Sequence, residues 1–251
     1  MTSKLAVVTG TSSGIGEAVA RELLERDWHV LGVARRRPAI RHANYEHCSV
    51  DLGDTRSLTD ALEPRLAELF GAASWTRAGL VNNAAHPGLL GPIERLDASR
   101  FPTVLATNLV SPVWLMGEFL RRTPASTPLR ILNVSTAAAV RGFAGLGAYG
   151  SSKAGLRMAG LVLAAEIQDR ASVGEERRDI SILSFEPGTV DTPMQENART
   201  SSRETLPSVD LFKRFAAEGR LIPPSGPARE IAEFLESDSE PVFSERRHGA
   251  R

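Results

Sequence analysis

The residues with the clearest chemical potential are a tyrosine and a lysine in the stretch "GAYGSSKAG", Gly147 to Gly155. Tyr149 and Lys153 lie four residues apart with only small residues between them, and the chain has just two tyrosines. One helical turn places both side chains on the same helix face. A positive charge beside a phenol favours the phenolate and lowers the tyrosine pKa from about 10. The pair therefore predicts a proton donor and acceptor that is usable near neutral pH. The alternative is a pair of surface residues without a role.

A glycine-rich loop, "TGTSSGIG" (Thr9–Gly16), lies between a strand-like run and an amphipathic segment. Gly10, Gly14 and Gly16 allow the backbone to turn tightly and to approach a pyrophosphate, whose charge then faces the helix N-terminus. The spacing is G-x3-G-x-G rather than G-x-G-x-x-G, and glycines also serve in plain turns. The strand-loop-helix setting favours a dinucleotide site over a plain turn.

Basic residues follow the second predicted strand, where many dinucleotide-binding folds carry an acidic residue. No Asp or Glu occurs from Gly32 to Pro38, and Arg35, Arg36 and Arg37 stand there instead. An acidic residue at this place bonds the ribose 2′-OH of NAD, whereas arginine binds the 2′-phosphate of NADP through two parallel hydrogen bonds. The sequence therefore predicts NADP(H), with a solvated basic turn as the alternative for at least one arginine.

Short apolar runs alternate with helical patterns along the whole chain, which predicts an α/β fold with βαβ units. The predicted strands are Leu5–Thr9, His29–Val33, Glu46–Val50, Ala78–Val81, "RILNVS" and, as the last clear strand, Ile180–Phe185. The predicted helices are "EAVARELLERD", Thr55–Phe70, Thr107–Arg121 and Tyr149–Asp169. We expect a single domain over 1–251 with a Rossmann-type, doubly wound parallel sheet and helices on both faces, in three α/β/α layers. The long polar stretch 193–226, partly helical around "LFKRFAAEG", predicts a substrate-covering lid insertion.

Composition limits the classes of partner. Thirty basic and thirty acidic residues cancel, so nothing predicts nucleic acid as a partner. The single Cys48 fits a reducing compartment, no signal-peptide pattern is present, and no apolar stretch approaches the roughly 20 residues that span a bilayer. We expect a soluble, cytoplasmic protein with no membrane partner. Five scattered histidines and one cysteine predict no metal site.

Seven motifs follow one another along the chain. They are the glycine loop Thr9–Gly16, Asp51-Leu52, "NNAA" at 82–85, Asn108 in "TNL", "NVST" at 133–136, Tyr149-x3-Lys153 and "PGTVDT" at 187–192. With these motifs in this order, the chain resembles the classical short-chain dehydrogenases/reductases, roughly from Lys4 to Leu235. Each motif falls at an expected sheet edge or on the helix beside it. The resemblance implies a Rossmann-type oxidoreductase that acts on a small molecule and forms a homodimer or homotetramer.

The resemblance implies a catalytic set around the tyrosine. Tyr149 would be the general acid/base for a carbonyl or alcohol oxygen, and Lys153 would lower its pKa and bind the nicotinamide ribose. Asn108 would hold a water that links Lys153 to solvent. Thirteen residues before the tyrosine, where the family carries a serine, this chain has Thr136. We expect Thr136 to donate to the substrate oxygen, with the neighbouring Ser135 as the alternative.

The resemblance also implies binding residues. Those for the cofactor are Gly10, Ser12, Ser13, Gly14, Ile15, Gly16, Arg35, Arg36, Asp51, Leu52, Asn83, Ala84, Tyr149, Lys153, Pro187, Gly188, Val190 and Thr192. Those for the substrate are His86, Phe143, Leu146 and Met194. A single histidine in a loop is often there without a functional role, so the alternative for His86 is that it does not contact the substrate.

The region after "PGTVDT" resembles the sepiapterin reductase and benzil reductase branch, whose members use NADPH to reduce carbonyls, often vicinal diketones. The matching pieces are "MQ…AR" and "FKRFAAEGRLIPP". The ending "SEPVFSERRHGAR" has no clear counterpart of the acidic pterin anchor, which favours a diketone or another apolar carbonyl compound over a pterin. The predicted function is NADPH-dependent carbonyl reduction. The alternatives are an NADP(H)-binding regulatory protein without turnover, or an alcohol dehydrogenase, epimerase or dehydratase on the same scaffold.

Overall fold

A parallel sheet of seven strands runs through the residues that the computed structural model describes, 4–174 and 177–250. The strands are β1 (Lys4–Thr9), β2 (Trp28–Val33), β3 (Tyr45–Cys48), β4 (Arg77–Asn82), β5 (Leu129–Val134), β6 (Ile180–Glu186) and β7 (Phe243–Arg247). Their order across the sheet is β3-β2-β1-β4-β5-β6-β7. This order and the parallel pairing confirm the predicted Rossmann-type sheet.

Helices connect the strands and cover both faces of the sheet. They are α1 (Gly14–Glu25), α2 (Glu63–Ala72), α3 (Phe101–Leu105), α4 (Ser111–Arg122), α5 (Gly147–Ser172), α6 (Pro193–Thr200), α7 (Val209–Ala217) and α8 (Ser225–Glu236). Short π-helical turns, Leu58–Leu62 and Ala106–Val110, lead into α2 and α4. Two 3₁₀ turns lie at Ile93–Arg95 and Ala137–Ala139.

Two hydrophobic cores hold the helices to the sheet, one on each face. Leucines of α2 pack with Leu115 and Phe119 of α4 and with Leu156 of α5 on one face. On the other face α1 packs with α8 through fully buried side chains such as Leu23 and Phe234. The three layers expected from the alternating pattern are therefore present.

The carboxyl ends of the strands meet at one sheet edge, and the connections diverge between β1 and β4. The chain crosses from β1 towards β2 on one side, whereas β4 continues towards β5 on the other. Such a reversal leaves a crevice outside the strand ends, which is where doubly wound sheets bind their ligands. The glycine loop follows β1 and "NNAA" follows β4, so both motifs lie at this crevice.

The sequence showed no clear strand after Ile180–Phe185, and it therefore missed β7, a seventh, parallel edge strand beside β6. The residues of β7, "FSERR", are partly exposed at its start and exposed at its end. The strand also carries charged side chains, as edge strands often do. It therefore lacks the apolar run by which buried strands are recognised. The predicted lid stretch also contains more helix than expected, since it holds α6, α7 and the start of α8.

The long helix before β5 begins earlier than predicted, at Phe101 rather than Thr107. Among the described residues, the continuous helix Phe101–Arg122 is long and apolar enough to cross a membrane by length and composition alone. The expectation that no apolar stretch approaches this length was therefore wrong. Half of its most apolar window is buried in the protein, and Leu115 and Phe119 lie in the core. Helices in the core of a protein meet the same criterion of length and composition.

Candidate active site

Helix α5 presents the tyrosine and the lysine from consecutive turns, close to the carboxyl end of β5. Lys153 is almost completely buried, and its Nζ donates a hydrogen bond of 2.8 Å to the carbonyl oxygen of Val134. The same Nζ lies 6.0 Å from the ring centroid of Tyr149, which is partly exposed. The predicted placement of both side chains on one helix face is therefore present.

Burial moves the pKa values of the two groups in opposite directions. It raises the pKa of Tyr149 to about 12 and lowers the pKa of Lys153 to about 8, because both charged forms lose solvation. We expected Lys153 to lower the pKa of Tyr149, and this expectation was wrong for the chain without a bound cofactor. The lysine is bonded to Val134, and the cost of burying a phenolate dominates. The structure thus holds Tyr149 as a neutral phenol, which is the form that donates a proton.

Asn108 lies in the π-helical turn before α4 and is fully buried. Its Nδ2 donates to the carbonyl oxygen of His86 and to Oγ of Ser152, both at 3.0 Å. Its Oδ1 accepts from the backbone N–H of His86 at 2.7 Å. Ser152 in turn donates to the carbonyl oxygen of Tyr149 at 2.7 Å. Asn108 therefore joins the segment after β4 to α5, and a water held beside it stays a prediction.

Ser152 was not among the predicted site residues, although it stands between the tyrosine and the lysine. Its side chain is fully buried, and its hydroxyl is the one link between the side chain of Asn108 and the backbone of Tyr149 within the described residues. A hydroxyl one residue before the lysine, in a segment otherwise made of small residues, was the signal that could have identified it.

The two candidate donors to the substrate oxygen follow β5 directly. Thr136 caps the turn Ala137–Ala139, and its Oγ1 accepts from the backbone N–H of Ala138 at 3.3 Å. Because that bond uses a lone pair, the hydroxyl hydrogen of Thr136 is left to donate. Ser135 lies beside Lys153 and Ser184 around a narrow gap that has no room for a water molecule. The structure thus brings both hydroxyls to the same strand end as the lysine.

The glycine loop fits a pyrophosphate. Gly10 and Gly14 have positive φ angles of 76° and 62°, and a Cβ at Gly16 would lie 2.4 Å from Nδ2 of Asn83. These glycines therefore let α1 approach the segment after β4. The N-cap residue, Ser13, does not cap α1 with its side chain. The N-terminus of α1, with Ser12 and Ile15 beside it, is thus available to a phosphate.

The segment after β4 is tied to β1 by hydrogen bonds. Thr9 Oγ1 accepts from the backbone N–H groups of Asn83 and Ala84 at 3.0 and 2.9 Å. The Asn83 side chain donates to the carbonyl oxygen of Thr9 at 2.9 Å. The amide of Asn83 therefore shapes the crevice rather than reaching into it. Thr9, which sequence reasoning counted only as a loop boundary, is the acceptor that fixes this turn.

The cluster of arginines after β2 is exposed. Arg35, Arg36 and Arg37 form no ion pair within the described part of the chain. Asp51, after β3, is also exposed, whereas Leu52 is buried and its carbonyl oxygen accepts from Ser111. Two or more free guanidinium groups at the end of β2 fit a 2′-phosphate.

The turn after β6 reaches back to the glycine loop. Pro187 is buried, Gly188 has a φ of 79°, and Val190 is buried in a bridge to Ile222. Thr192 caps α6, and its Cγ2 lies 3.1 Å from the position that a Cβ at Gly14 would occupy. The predicted contact of this turn with the cofactor is therefore compatible with the geometry.

The predicted substrate residues lie on three separate segments. Phe143 and Leu146 precede α5, and Arg141 stacks on the Phe143 ring at 4.7 Å from its centroid. Met194 lies in the first turn of α6 and is partly exposed. His86 is held in the loop after β4. A cavity of about 420 Å³ lies elsewhere, under the loop that follows β2, and none of the four residues lines it.

The fold, the glycine loop and the tyrosine–lysine pair together define a class of protein. The sequence pattern of the short chain dehydrogenase family matches residues 4–203, so the chain belongs to that family. It is an oxidoreductase of a family that binds a nicotinamide cofactor.

Particular relatives lie in the branch predicted from the sequence. Benzil reductase ((S)-benzoin forming) of Bacillus cereus is 30% identical over 246 residues, which cover 94% of this chain and 95% of the relative. Sepiapterin reductase of Meriones unguiculatus is 29% identical over 255 residues, 93% of this chain and 91% of the relative. The crystal structure of the KRED1-Pglu enzyme superimposes with a TM-score of 0.75 at 26% identity, over 96% of this chain and 100% of that one.

Proposed function

We propose that this chain reduces a carbonyl group of a small apolar molecule to an alcohol, with NADPH as the hydride donor. The observation that carries the proposal is the placement of Tyr149 and the buried Lys153 on one face of α5. Both lie at the same sheet edge as the glycine loop. The likeness to benzil reductase and sepiapterin reductase supports the same reaction class.

The reaction needs a hydride, which the nicotinamide cofactor supplies when bound, and a proton, which the chain supplies. Tyr149 donates the proton from Oη to the carbonyl oxygen as that oxygen gains negative charge. Thr136 donates a second hydrogen bond to the same oxygen, as an oxyanion donor does. Lys153, held at Val134, provides a cationic N–H group beside the phenolate that this proton transfer leaves on Tyr149. General acid catalysis of this kind contributes about 10² to 10⁴ in rate.

The choice of NADPH rests on the exposed arginines after β2. Arg35 and Arg36 offer free guanidinium groups where an acidic residue would repel a phosphate, and no acidic residue occurs from Gly32 to Pro38. A 2′-phosphate accepts hydrogen bonds from a guanidinium in the fork geometry that arginine favours.

The choice of an apolar substrate rests on the residues around the catalytic edge. Ile93 and Val140 are 76% and 70% exposed, and Ile93 contacts the start of α5 beside Gly147. Together with Phe143, they leave apolar surface on the segments that flank Tyr149. A bulky diketone or aromatic ketone would bury this surface, which is worth about 25 cal/mol for each Å².

The test is NADPH oxidation against a panel of benzil, an aliphatic α-diketone, an isatin, an aldehyde and sepiapterin, with NADH in parallel. We expect turnover of the aromatic diketone with NADPH and a loss of roughly 10² or more in Tyr149→Phe. Turnover of an alcohol with NADP⁺, but of no carbonyl with NADPH, would instead indicate a dehydrogenase. NADPH binding with no turnover of any compound would indicate the regulatory alternative.

A further inference from the structure

The loop after β4 contains a local hydrogen bond that the reaction above does not use. Nδ1 of His86 accepts from the backbone N–H of Gly88 at 3.1 Å and so closes a turn over residues 86–88. The base of this turn is held on both sides by Asn108, which bonds the N–H of His86 at 2.7 Å and its carbonyl oxygen at 3.0 Å. The turn therefore has one rigid end, at Asn108, and one end whose position depends on the imidazole.

The end that depends on the imidazole rests against the catalytic tyrosine. Gly88 has a φ of 88°, and a Cβ built on it would lie 3.1 Å from Cβ and 3.2 Å from the backbone N of Tyr149. A side chain at position 88 would therefore crowd Tyr149, and Gly88 lies directly beside the start of α5. A shift of about 1 Å in a catalytic group can cost about 10² in rate.

We propose that His86 is a positioning residue for Tyr149, acting through the turn that its imidazole closes against the backbone of Gly88. This role rests on the carbonyl reduction proposed above and replaces the direct substrate contact predicted for His86. Because Nδ1 accepts from Gly88, the ring proton of the neutral imidazole lies on Nε2.

The chemistry of this turn specifies which substitutions preserve it. An acceptor on residue i that bonds the N–H of residue i+2 is the geometry of an Asx turn. The chain contains the same arrangement at Asp51, whose Oδ1 accepts from Gly53 at 2.9 Å. His86→Asn keeps such an acceptor, whereas His86→Leu has similar bulk and no acceptor.

A second histidine in the chain provides a matched control. Nδ1 of His42 accepts from the backbone N–H of Asn44, also at 3.1 Å, in the exposed loop between β2 and β3. His42→Leu therefore removes the same kind of bond from a turn that supports β3 rather than Tyr149.

The kinetic experiment compares the three variants with the wild type, using NADPH and the carbonyl substrate of the panel. We expect His86→Leu to lower kcat roughly 10- to 100-fold with KM changed less than kcat. We expect His86→Asn to restore kcat to within about threefold of the wild type and His42→Leu to leave it unchanged. Equal losses in His86→Leu and His86→Asn would overturn the proposal.

The pH profile separates positioning from simple packing. Burial lowers the pKa of His86, Arg35 and Arg100 lower it further, and Asp51 opposes them. Below that pKa the imidazolium carries a proton on Nδ1 and cannot accept from Gly88. The kcat of the wild type should therefore fall on the acid side, and that limb should be absent in His86→Asn. The same acid limb in both proteins would overturn the proposal.

A readout without turnover uses the fact that the chain has only two tyrosines. With fluorotyrosine at both positions and Tyr45→Phe for assignment, fluorine NMR reports on Tyr149 by itself. His86→Leu should move the Tyr149 resonance, His86→Asn should return it, and His42→Leu should affect only Tyr45. An unmoved Tyr149 resonance in folded His86→Leu would overturn the proposal. A wild type that shows this NMR pattern but no turnover would support the positioning role and contradict the proposed function.

Discussion

At the residue scale, the lysine that supports the tyrosine is itself held in an unfavourable state. Lys153 is buried with one backbone acceptor and no carboxylate partner in the described structure, and its pKa falls to about 8. The folded protein therefore resists protonating a group that is fully protonated in the unfolded chain. Such a cost is common at sites that need a group for chemistry rather than for stability.

This cost has a pH dependence whose sign follows from linkage. Between about pH 8 and 10.5 the unfolded state binds more protons at Lys153 than the folded state. The free energy of unfolding of the cofactor-free wild type should therefore rise with pH relative to Lys153→Met, by up to roughly 3 kcal/mol across this window. Urea unfolding followed by tryptophan fluorescence measures the difference. Lys213→Met, at an exposed position of α7, is the control, and a constant difference for Lys153→Met would contradict the expectation.

The arginines after β2 carry a prediction about cofactor choice. Arg35→Ala should weaken NADPH binding roughly 10- to 100-fold, since a hydrogen bond to a charged group contributes about 1.5 to 3 kcal/mol. NADH binding should stay nearly unchanged, because NADH lacks the 2′-phosphate. Titration calorimetry with both cofactors checks this, with the exposed Arg41→Ala as the control from the same loop. Equal losses for the two cofactors would reject the role of Arg35.

Motif spacing was sufficient to place Tyr149 and Lys153 on one helix face and the glycine loop after β1, and to find the cluster of arginines after β2. It could not identify Ser152, Thr9 or the acceptor role of His86. These roles depend on hydrogen bonds between segments 22 to 75 residues apart, or on a side chain turned towards its own backbone. The pKa of Tyr149 was predicted in the wrong direction because spacing gives the distance to a charge but not the loss of solvation.

At the element scale, a buried hydrogen bond connects the glycine loop to the start of β3. Thr11 is fully buried and its Oγ1 lies 3.2 Å from Oη of Tyr45. A Cβ at Gly32 of β2 would lie 2.1 Å from the same Oη, so the phenol crosses directly over β2. This contact couples the loop that would hold the pyrophosphate to β2 and β3, the two strands between which the arginines lie.

A double-mutant cycle measures that coupling. Tyr45→Phe or Thr11→Val alone should lower the free energy of unfolding by about 1 to 3 kcal/mol, since each leaves a buried hydroxyl unpaired. The double variant should cost less than the sum of the two, because it removes both polar groups. Denaturant unfolding gives all three values. Additive losses would show that the two hydroxyls do not interact.

The alternation of apolar runs and helical patterns predicted the internal strands and the layer order correctly. It failed at β7 and at the beginning of the long helix before β5. The edge strand β7 is charged and half-exposed, so its sequence lacks the apolar run that indicates a buried strand. Phe101 follows a loop and precedes Pro102, which is favourable in the first helical turn but resembles a loop signal in the sequence.

At the scale of the whole molecule, apolar side chains remain exposed on α4, on the π-helical turn before it and on α5. Val110, Val113, Met158 and Val162 are 39% to 55% exposed, and the last two lie one turn apart on α5. We expect these faces to pair in a homodimer or homotetramer. Light scattering after gel filtration should give two or four times the monomer mass of 27.1 kDa. Met158→Lys with Val162→Lys should shift it towards the monomer, and an unshifted mass would place the interface elsewhere.

A deuterium-transfer experiment follows the hydride and the proton donor of the proposed reaction together. The wild type and Tyr149→Phe are incubated with NADPH deuterated at the transferable position and with the carbonyl compound that the panel identifies. Mass spectrometry of the alcohol should show one deuterium on the former carbonyl carbon for the wild type. Tyr149→Phe should form at most about one hundredth as much labelled product in the same time. Unlabelled alcohol from the wild type, or equal labelled product from Tyr149→Phe, would contradict the account.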